Sequence, residues 1–155
     1  MSETMKRVMD TLAAADLGTI AIEMPLETRT AQQAADEAGC DVDQIAKSYV
    51  FAGATSEQLY LFVAAENRQI DLEKASALVN EPIERANSHK VREVTGFGIS
   101  GIAPVGHLTP IRAFLDKKLY DYGLIYASAG TLRHIFAIDP MELQRISSGQ
   151  PSKFK

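Results

Sequence analysis

The chain has 155 residues, of which 46% are hydrophobic and 23% are charged, and its formal net charge at pH 7 is −4. This length suits a single domain over residues 1–155 with a hydrophobic core of its own. The acidic balance disfavours sequence-independent binding to duplex DNA, because such binding needs many Lys and Arg contacts to phosphate. No apolar stretch approaches about 20 residues and the N-terminus lacks an apolar leader, so we expect a cytoplasmic protein that spans no membrane.

In the first half of the chain, helical and strand patterns follow one another closely. Apolar residues recur on one helix face near the N-terminus, and Thr30 is a natural N-cap for a second helix. A turn at Thr55–Gln58 separates two apolar runs that we expect to pair as antiparallel strands. The predicted elements are a helix over Met1–Leu17, a strand over Thr19–Glu23, a loop over Met24–Arg29, a helix over Ala31–Ala38, strands over Ile45–Gly53 and Leu59–Glu66, and a helix over Leu72–Val79.

The second half continues with one short helix, three strands and a last helix. Ser88 is the expected cap of the short helix, and Asp139 with Pro140 marks the start of the last one. The predicted elements are a helix over Ser88–Val94, strands over Ile111–Leu115, Leu124–Ala127 and His134–Ile138, a helix over Pro140–Ile146 and a polar tail over Ser147–Lys155. Six or seven strands among about five helices, with neighbouring hairpins, predict a mixed α/β fold rather than a doubly wound parallel sheet.

The segment Thr95–His107, TGFGISGIAPVGH, contains four glycines and one proline among small apolar residues. It is too rich in glycine for a helix interior and too apolar for a disordered linker, so it predicts a shaped loop. Such a loop can direct several backbone N–H groups towards a carbonyl oxygen, a carboxylate or a phosphate. The alternative is a tight bend in a curved sheet, where glycine lets a strand turn a corner.

Lys47 is the charged residue that fits its surroundings least, because the strand pattern around it is mostly apolar. A desolvated lysine needs an anionic or polar partner, which makes Lys47 a candidate for binding a ligand. The alternative is a lysine on the solvent-facing side of a half-buried strand.

Other catalytic chemistries find little support. Cys40 has acidic neighbours, which raise rather than lower the pKa of a thiol, so we expect it to be inert. No Cys/His cluster has the spacing of zinc ligands, no serine lies in a nucleophile elbow, and no glycine pattern fits a nucleotide-binding loop. We therefore expect neither a metal nor a cofactor. His107 closes the glycine-rich segment and is a candidate ligand contact, whereas His134 is more typical of a satisfied strand residue.

Three segments, Thr30–Phe51, Thr95–His107 and Tyr126–Thr131, together resemble the YbaK/EbsC family of aminoacyl-tRNA deacylases. This family is related to the editing domain inserted in bacterial prolyl-tRNA synthetases. The resemblance implies a mixed, strongly curved and partly barrel-like sheet with surrounding helices, and a hydrolase that removes the amino acid from mischarged tRNA. One departure is Ser100, which precedes Gly101 where the family often has a pair of glycines.

The resemblance also implies site residues. Lys47 and Gly101 are expected to be catalytic, with Lys47 anchoring the acceptor end rather than acting as a base. The expected substrate-binding residues are Thr30, Ser100, Ile102, Pro104, Gly106, His107, Ser128, Gly130 and Thr131. The amides of 100–102 would hold the ester carbonyl oxygen, while the free ribose hydroxyl of the terminal adenosine helps to position water.

The expected partner is the acceptor end of an aminoacyl-tRNA that carries a small amino acid, with tRNA-Pro as a candidate. An aminoacyl-tRNA synthetase is a further candidate partner, whereas a membrane and duplex DNA are not expected. A non-catalytic module that binds a nucleotide or an aminoacyl-tRNA is the alternative function.

Overall fold

Eight strands form one mixed sheet in the computed structural model, which describes residues 2–26, 28–66 and 69–155. The sheet order is β1-β7-β6-β2-β3-β5-β8, and β4 pairs with β2 outside this path. The mixed α/β prediction is confirmed, with β1 and β8 as the two ends of the path. The strands are β1 (Ala21–Glu23), β2 (Ile45–Gly53), β3 (Leu59–Ala65), β4 (Ile83–Arg85), β5 (Arg112–Asp116), β6 (Ile125–Ser128), β7 (His134–Ile138) and β8 (Gln150–Ser152).

Five α-helices surround this sheet in the described part of the chain, and each begins at a polar N-cap side chain that accepts a backbone N–H. Thr30 and Gln33 form a reciprocal capping box at the start of the second helix. The helices are α1 (Glu3–Ala14), α2 (Ala31–Ala38), α3 (Leu72–Val79), α4 (Ser88–Thr95) and α5 (Pro140–Ser147), with short 3-10 helices at Val42–Gln44 and Lys117–Asp121.

Strand β2 connects the two halves of the sheet. It pairs antiparallel with β3, as the hairpin pattern predicts, from Ala46 opposite Ala65 to Ala52 opposite Leu59. On its other edge it pairs parallel with β6, where Ala46 lies opposite Ala127. Because the two strands run in the same direction, the turn that follows β6 lies beside the middle of β2.

The sheet buries side chains on both faces. The larger cluster combines sheet residues with Val8 and Leu12 of α1 and with Phe97 and Ile102 of the glycine-rich segment. The smaller cluster is aromatic and contains Phe62, Phe114 and Phe154, with Phe62 and Phe114 stacked at 5.0 Å between ring centroids. The glycine-rich segment is therefore part of the core on one face of the sheet.

The predicted bounds of β2, α2, α3 and β7 agree with the structure, whereas several other predictions need correction. Strand β4 was not predicted, α4 is capped by Asn87 rather than Ser88, and α1 ends at Ala14 instead of Leu17. The prediction of a polar tail is wrong, because this segment contains β8 and the fully buried Phe154. Met1 of the first predicted helix and Glu27 of the predicted loop lie outside the described residues.

Candidate functional site

The glycine-rich segment is held at both ends by Arg7 of α1. The Nε atom of Arg7 donates to the carbonyl oxygen of Gly106 at 3.0 Å, and Nη2 donates to that of Thr95 at 3.3 Å. The guanidinium carbon of Arg7 also lies 4.8 Å from the centroid of the buried Phe97 ring. These contacts fix the two ends of the loop against one helix, so the residues between them are presented in a defined position.

The middle of this loop lies against the turn that follows β6. The N–H group of Gly101 donates to the carbonyl oxygen of Gly98 at 2.9 Å, which closes a tight turn. A Cβ atom added to Gly101 would lie 3.3 Å from the carbonyl carbon of Thr131, closer than an ordinary van der Waals contact. The absence of a side chain at Gly101 is therefore what lets the two main-chain segments meet.

The turn after β6 is shaped by its own side chains. The Ser128 hydroxyl accepts from the N–H of Gly130 at 3.1 Å, and the Thr131 hydroxyl lies 2.7 Å from Nδ1 of His134. Gly130 has a φ of +96°, and a Cβ atom there would lie 3.0 Å from the carbonyl oxygen of Thr4. Both the conformation and the close approach of α1 require glycine at this position.

These two main-chain segments form one wall of an open groove with a volume of about 640 Å³, which we call the glycine groove. Four of the predicted site residues, Ser100, Gly101, Gly130 and Thr131, line it together. The remaining lining residues are Thr4, Ser88, His89, Arg92, Gly98, Ile99 and Leu132. Four residues that the family resemblance implies for the site thus lie together, although the two loops are about 30 residues apart in the chain.

Other predicted substrate-binding residues lie elsewhere. Pro104, Gly106 and His107 line a separate cavity of about 210 Å³, and the side chain of Ile102 is buried in the core. The hydroxyl of Thr30 accepts from the N–H of Gln33 at 3.1 Å. The structure gives these residues packing and capping roles, and their contact with a substrate stays a prediction.

The side chain of Lys47 is exposed to solvent, which agrees with the alternative interpretation of its sequence context, although Tyr49 on the same side of β2 packs against the aromatic cluster. The expectation of a desolvated lysine is wrong, because Ala46 and Ser48 face the core while Lys47 points to the other side. Its Nζ atom lies 5.4 Å from the centroid of the Tyr49 ring. Lys47 does not line the glycine groove. Ala46 is paired with Ala127 in the parallel strands β2 and β6, so the next residues of the two strands, Lys47 and Ser128, are neighbours. The main chain at Lys47 therefore lies beside the turn that forms the groove wall.

The sequence interpretation missed the residues that α4 contributes to the groove. Arg92 is the most relevant of them, because its Nη2 atom lies 2.8 Å from the position that a Cβ atom on Gly98 would occupy. His89 lies one turn earlier on the same helix and is largely exposed. The signal was present in the sequence as a basic stretch, 89–92, on the helix that leads directly into the glycine-rich loop.

Cys40 and metal-binding chemistry can be assessed from the structure as well. Burial raises the pKa of the Cys40 thiol and the charge of Asp41 adds to this, so the predicted direction is confirmed although burial is the larger cause. Among the described residues, no three His, Cys, Asp or Glu side chains are grouped so that they could hold a metal ion. None of the described helices is both long and apolar enough to cross a membrane.

Comparison with known families connects this geometry to a biological role. The aminoacyl-tRNA editing domain matches residues 26–146, a range that includes Lys47, the glycine-rich loop and the turn after β6. The chain belongs to the aminoacyl-tRNA editing domain family. The resemblance seen in the sequence motifs is therefore confirmed.

Individual relatives of this editing domain agree with the assignment. The uncharacterized protein YwhH of Bacillus subtilis (strain 168) is 29% identical over 125 residues, which are 81% of this chain and 79% of YwhH. A crystal structure of a protein proposed to be a trans-editing enzyme for prolyl-tRNA synthetase has 40% identity and a TM-score of 0.93, over 100% of this chain and 98% of that one. A scaffold protein used for computational epitope grafting is 37% identical with a TM-score of 0.92, over 100% of this chain and 99% of that one.

Proposed function

We propose that this editing domain is a deacylase that hydrolyses the ester between an amino acid and the 3′ end of mischarged tRNA. The observation that carries the proposal is the close approach of the Thr131 main chain to Gly101 in the wall of the glycine groove, where a Cβ atom on Gly101 would lie 3.3 Å from the Thr131 carbonyl carbon. Because Gly101 has no side chain, none covers the backbone at this point of the wall. Backbone N–H groups fixed in this way can stabilise the negative charge that develops on an ester carbonyl oxygen.

The donors to that oxygen are the amides on either side of Gly101. The N–H of Gly101 itself is occupied by the carbonyl oxygen of Gly98, so this residue contributes through its missing side chain. No other described residue accepts a hydrogen bond from the N–H of Ser100 or Ile102. These two amides are therefore the ones that hold the carbonyl oxygen in our proposal.

Two cations near the turn and loop that form the groove wall are the candidates for binding the acceptor end of the tRNA. Lys47 lies beside Ser128 on the β2 side of the turn, and Arg92 covers Gly98 on the α4 side. Cations on both sides can hold a phosphate and the ribose of the terminal nucleotide. In this arrangement neither cation takes a proton; the free ribose hydroxyl of the terminal adenosine positions the attacking water.

Support for a particular tRNA comes from one relative rather than from the groove. The protein with 40% identity is proposed to act for prolyl-tRNA synthetase, which supports tRNA-Pro as the tRNA. A small amino acid as its cargo is part of our proposal. Such a role would place the chain in the cytoplasm, with the synthetase as a further candidate partner.

The deciding experiment incubates the protein with a panel of aminoacyl-tRNAs and measures loss of the ester. We expect turnover on at least one mischarged tRNA. Neither a chelator nor Cys40→Ser should change the rate of ester hydrolysis. Cleavage should be much slower when the terminal adenosine lacks the free ribose hydroxyl. Lys47→Ala should lower the rate at least about tenfold, which corresponds to about 1.4 kcal/mol. Stoichiometric binding without turnover would instead identify a non-catalytic aminoacyl-tRNA-binding module.

A further inference from the structure

A second cavity, with a volume of about 440 Å³, contains five of the eight lysines of the chain. The other three lysines are Lys6, Lys47 and Lys90. The five that line this cavity, which we call the lysine cavity, are Lys74, Lys117, Lys118, Lys153 and Lys155. A protein with a net charge of −4 thus concentrates most of its lysines at one place, where their mutual repulsion favours an anionic ligand.

Three aspartates also line the lysine cavity, and two of them have visible structural roles. Asp121 pairs with Lys118 at 3.1 Å. Asp116 is buried, and its carboxylate accepts from the N–H groups of Ala65 at 3.1 Å and Lys118 at 3.0 Å. Asp43 also has contacts of its own. The five lysines that line the cavity thus outnumber its three aspartates.

The remaining lysines of this cavity differ in their partners. Lys74 donates to the main-chain oxygen of Lys155 at 2.8 Å, and Nζ of Lys155 donates to the carbonyl oxygen of Ala65. Lys117 and Lys153 are exposed and form no ion pair with a described residue. The positive charges of Lys117 and Lys153 are therefore available to a ligand.

The C-terminal segment fixes part of this cavity in place. Phe154 is fully buried, with its ring 5.2 Å from that of Phe62, and its carbonyl oxygen accepts from the N–H of Asp71 at 2.7 Å. Strand β8 pairs with β5 so that Ser152 lies opposite Asp116. Lys153 therefore projects from an anchored stretch of backbone rather than from a free tail.

The lysine cavity adjoins the position of Lys47. Ala65 lines the cavity, and the residue before it, Ala64, lies directly opposite Lys47 in the β2–β3 pair. Ala64 belongs to the same aromatic cluster as Phe154, so Lys47 and the cavity share one side of the sheet. A polyanion with one end at Lys47 can continue into the lysine cavity.

We propose that the lysine cavity binds backbone phosphates of the tRNA whose acceptor end lies at Lys47, and this proposal rests on the proposed function. Several lysines around one cavity suit a chain of phosphodiesters, because each ammonium can donate to a different phosphate as a point charge. The cavity would then contribute affinity for the tRNA body without contributing to the ester cleavage itself.

The experiment compares a double variant, Lys117→Gln with Lys153→Gln, with the wild type. A matched control removes two exposed cations elsewhere, Lys6→Gln with Arg85→Gln. Binding of uncharged tRNA is measured over a range of salt concentrations. We expect the double variant to bind about tenfold more weakly at low salt and to lose about two from the slope of log K against log salt, one for each lysine. The control should keep the wild-type slope, and both variants should keep the wild-type melting temperature.

A second measurement separates this proposal from the deacylase assignment. An aminoacylated CCA trinucleotide carries the ester but lacks the backbone phosphates of the tRNA body, so its cleavage rate should be equal in the wild type and the double variant. If the wild type hydrolyses no ester while the tRNA slope still falls in the double variant, the lysine cavity proposal stands and the deacylase proposal fails. Equal tRNA slopes in the double variant and the control would overturn the lysine cavity proposal.

Pyrophosphate serves as the probe for a small ligand. A loss of pyrophosphate affinity in the double variant, with unchanged tRNA affinity, would assign the lysine cavity to a small phosphorylated molecule and would also overturn the proposal. Loss of tRNA affinity with little pyrophosphate binding in the wild type would support it.

Discussion

The Nζ atom of Lys47 lies 5.4 Å from the centroid of the Tyr49 ring, two residues along the same strand. The Tyr49 hydroxyl in turn donates to Oε1 of Glu66 at 2.6 Å. Burial, together with this hydrogen bond to Glu66, raises the pKa of Tyr49 well above its usual value, so the hydroxyl remains a donor. The ring is thereby fixed, and it restricts where the exposed ammonium of Lys47 can lie.

We predict that Tyr49→Leu lowers deacylation about two- to fivefold. A cation above an aromatic ring at an exposed site is worth about 0.5–1 kcal/mol, and this energy is lost with the ring. Tyr49→Phe keeps the ring and should therefore retain more activity than Tyr49→Leu.

Steady-state rates in the wild-type and Lys47→Ala backgrounds test the coupling between these residues. If Tyr49 acts through Lys47, Tyr49→Leu has no further effect once Lys47 is replaced. The same fold-loss in both backgrounds would show that Tyr49 acts independently of Lys47.

A second prediction concerns the contact between the two loops. Gly101→Val places a branched side chain where even one Cβ atom would lie 3.3 Å from the Thr131 main chain, so the loops must separate. We expect deacylation to fall at least about tenfold at a temperature where the variant is still folded.

The matched control for this substitution is Gly123→Val, because a Cβ atom on Gly123 meets nothing within 4 Å. Turnover and thermal unfolding are measured together on both variants. If Gly101→Val melts earlier but cleaves the ester at the wild-type rate while folded, Gly101 has a purely structural role.

The sequence predicts a helix, strand or loop well where the residues that determine it are close together in the chain. The bounds of α2 follow from Thr30 at its start and Gly39 at its end, and both residues act as caps in the structure. The position of the glycine-rich loop is likewise evident from its composition. What these patterns cannot provide is which distant segment the loop meets, because the contact between Gly101 and Thr131 depends on the strand order.

One wrong prediction, the polar tail, and one open alternative, the position of Lys47, have a common physical origin. The tail was interpreted as polar because Phe154 stands among polar residues, yet a single aromatic side chain is enough to anchor it in the cluster of Phe62. For Lys47 the sequence leaves both a buried and a solvent-facing position open, because the apolar residues of β2 face both sides of the sheet, which hides the period of two that marks a solvent-facing position. In both cases, whether the side chain is buried or exposed depends on its contacts with residues that are distant in the sequence.

A third prediction tests the role of Arg7 in holding the glycine-rich loop. Arg7→Gln removes a charged donor to the carbonyl oxygens of Gly106 and Thr95 and the contact with Phe97. We expect the free energy of unfolding, measured with urea, to fall by about 1–3 kcal/mol. Lys6→Gln is the control, since its ion pair with Asp10 is exposed and should contribute less than about 1 kcal/mol. Equal losses in the two variants would contradict a specific role for Arg7.

The last prediction concerns stability at mildly acidic pH. Burial lowers the pKa of His107 from its ordinary value of 6.5, and the positive charge of Arg7 lowers this pKa further. The hydrogen bond that Nε2 of His107 donates to the carbonyl oxygen of Ala103 at 2.7 Å raises the pKa, but its effect is smaller than that of burial. Below pH 6.5 the unfolded chain therefore binds a proton at His107 that the folded chain does not bind. The stabilisation is complete above this pH and is lost as the pH falls through the folded-state pKa, with a slope of at most about 1.4 kcal/mol per pH unit.

Urea unfolding of the wild type and of His107→Gln between pH 5 and pH 8 measures this contribution. Glutamine does not titrate but can still donate to the carbonyl oxygen of Ala103, so the difference in free energy of unfolding between the two proteins should shrink as the pH falls below 6.5. His89→Gln, which removes an exposed histidine, is the control for the substitution itself. A constant difference in free energy of unfolding between the wild type and His107→Gln over this pH range would show that His107 binds its proton equally in the folded and the unfolded chain. The burial of His107 next to the glycine-rich loop would then have no effect on stability at acidic pH.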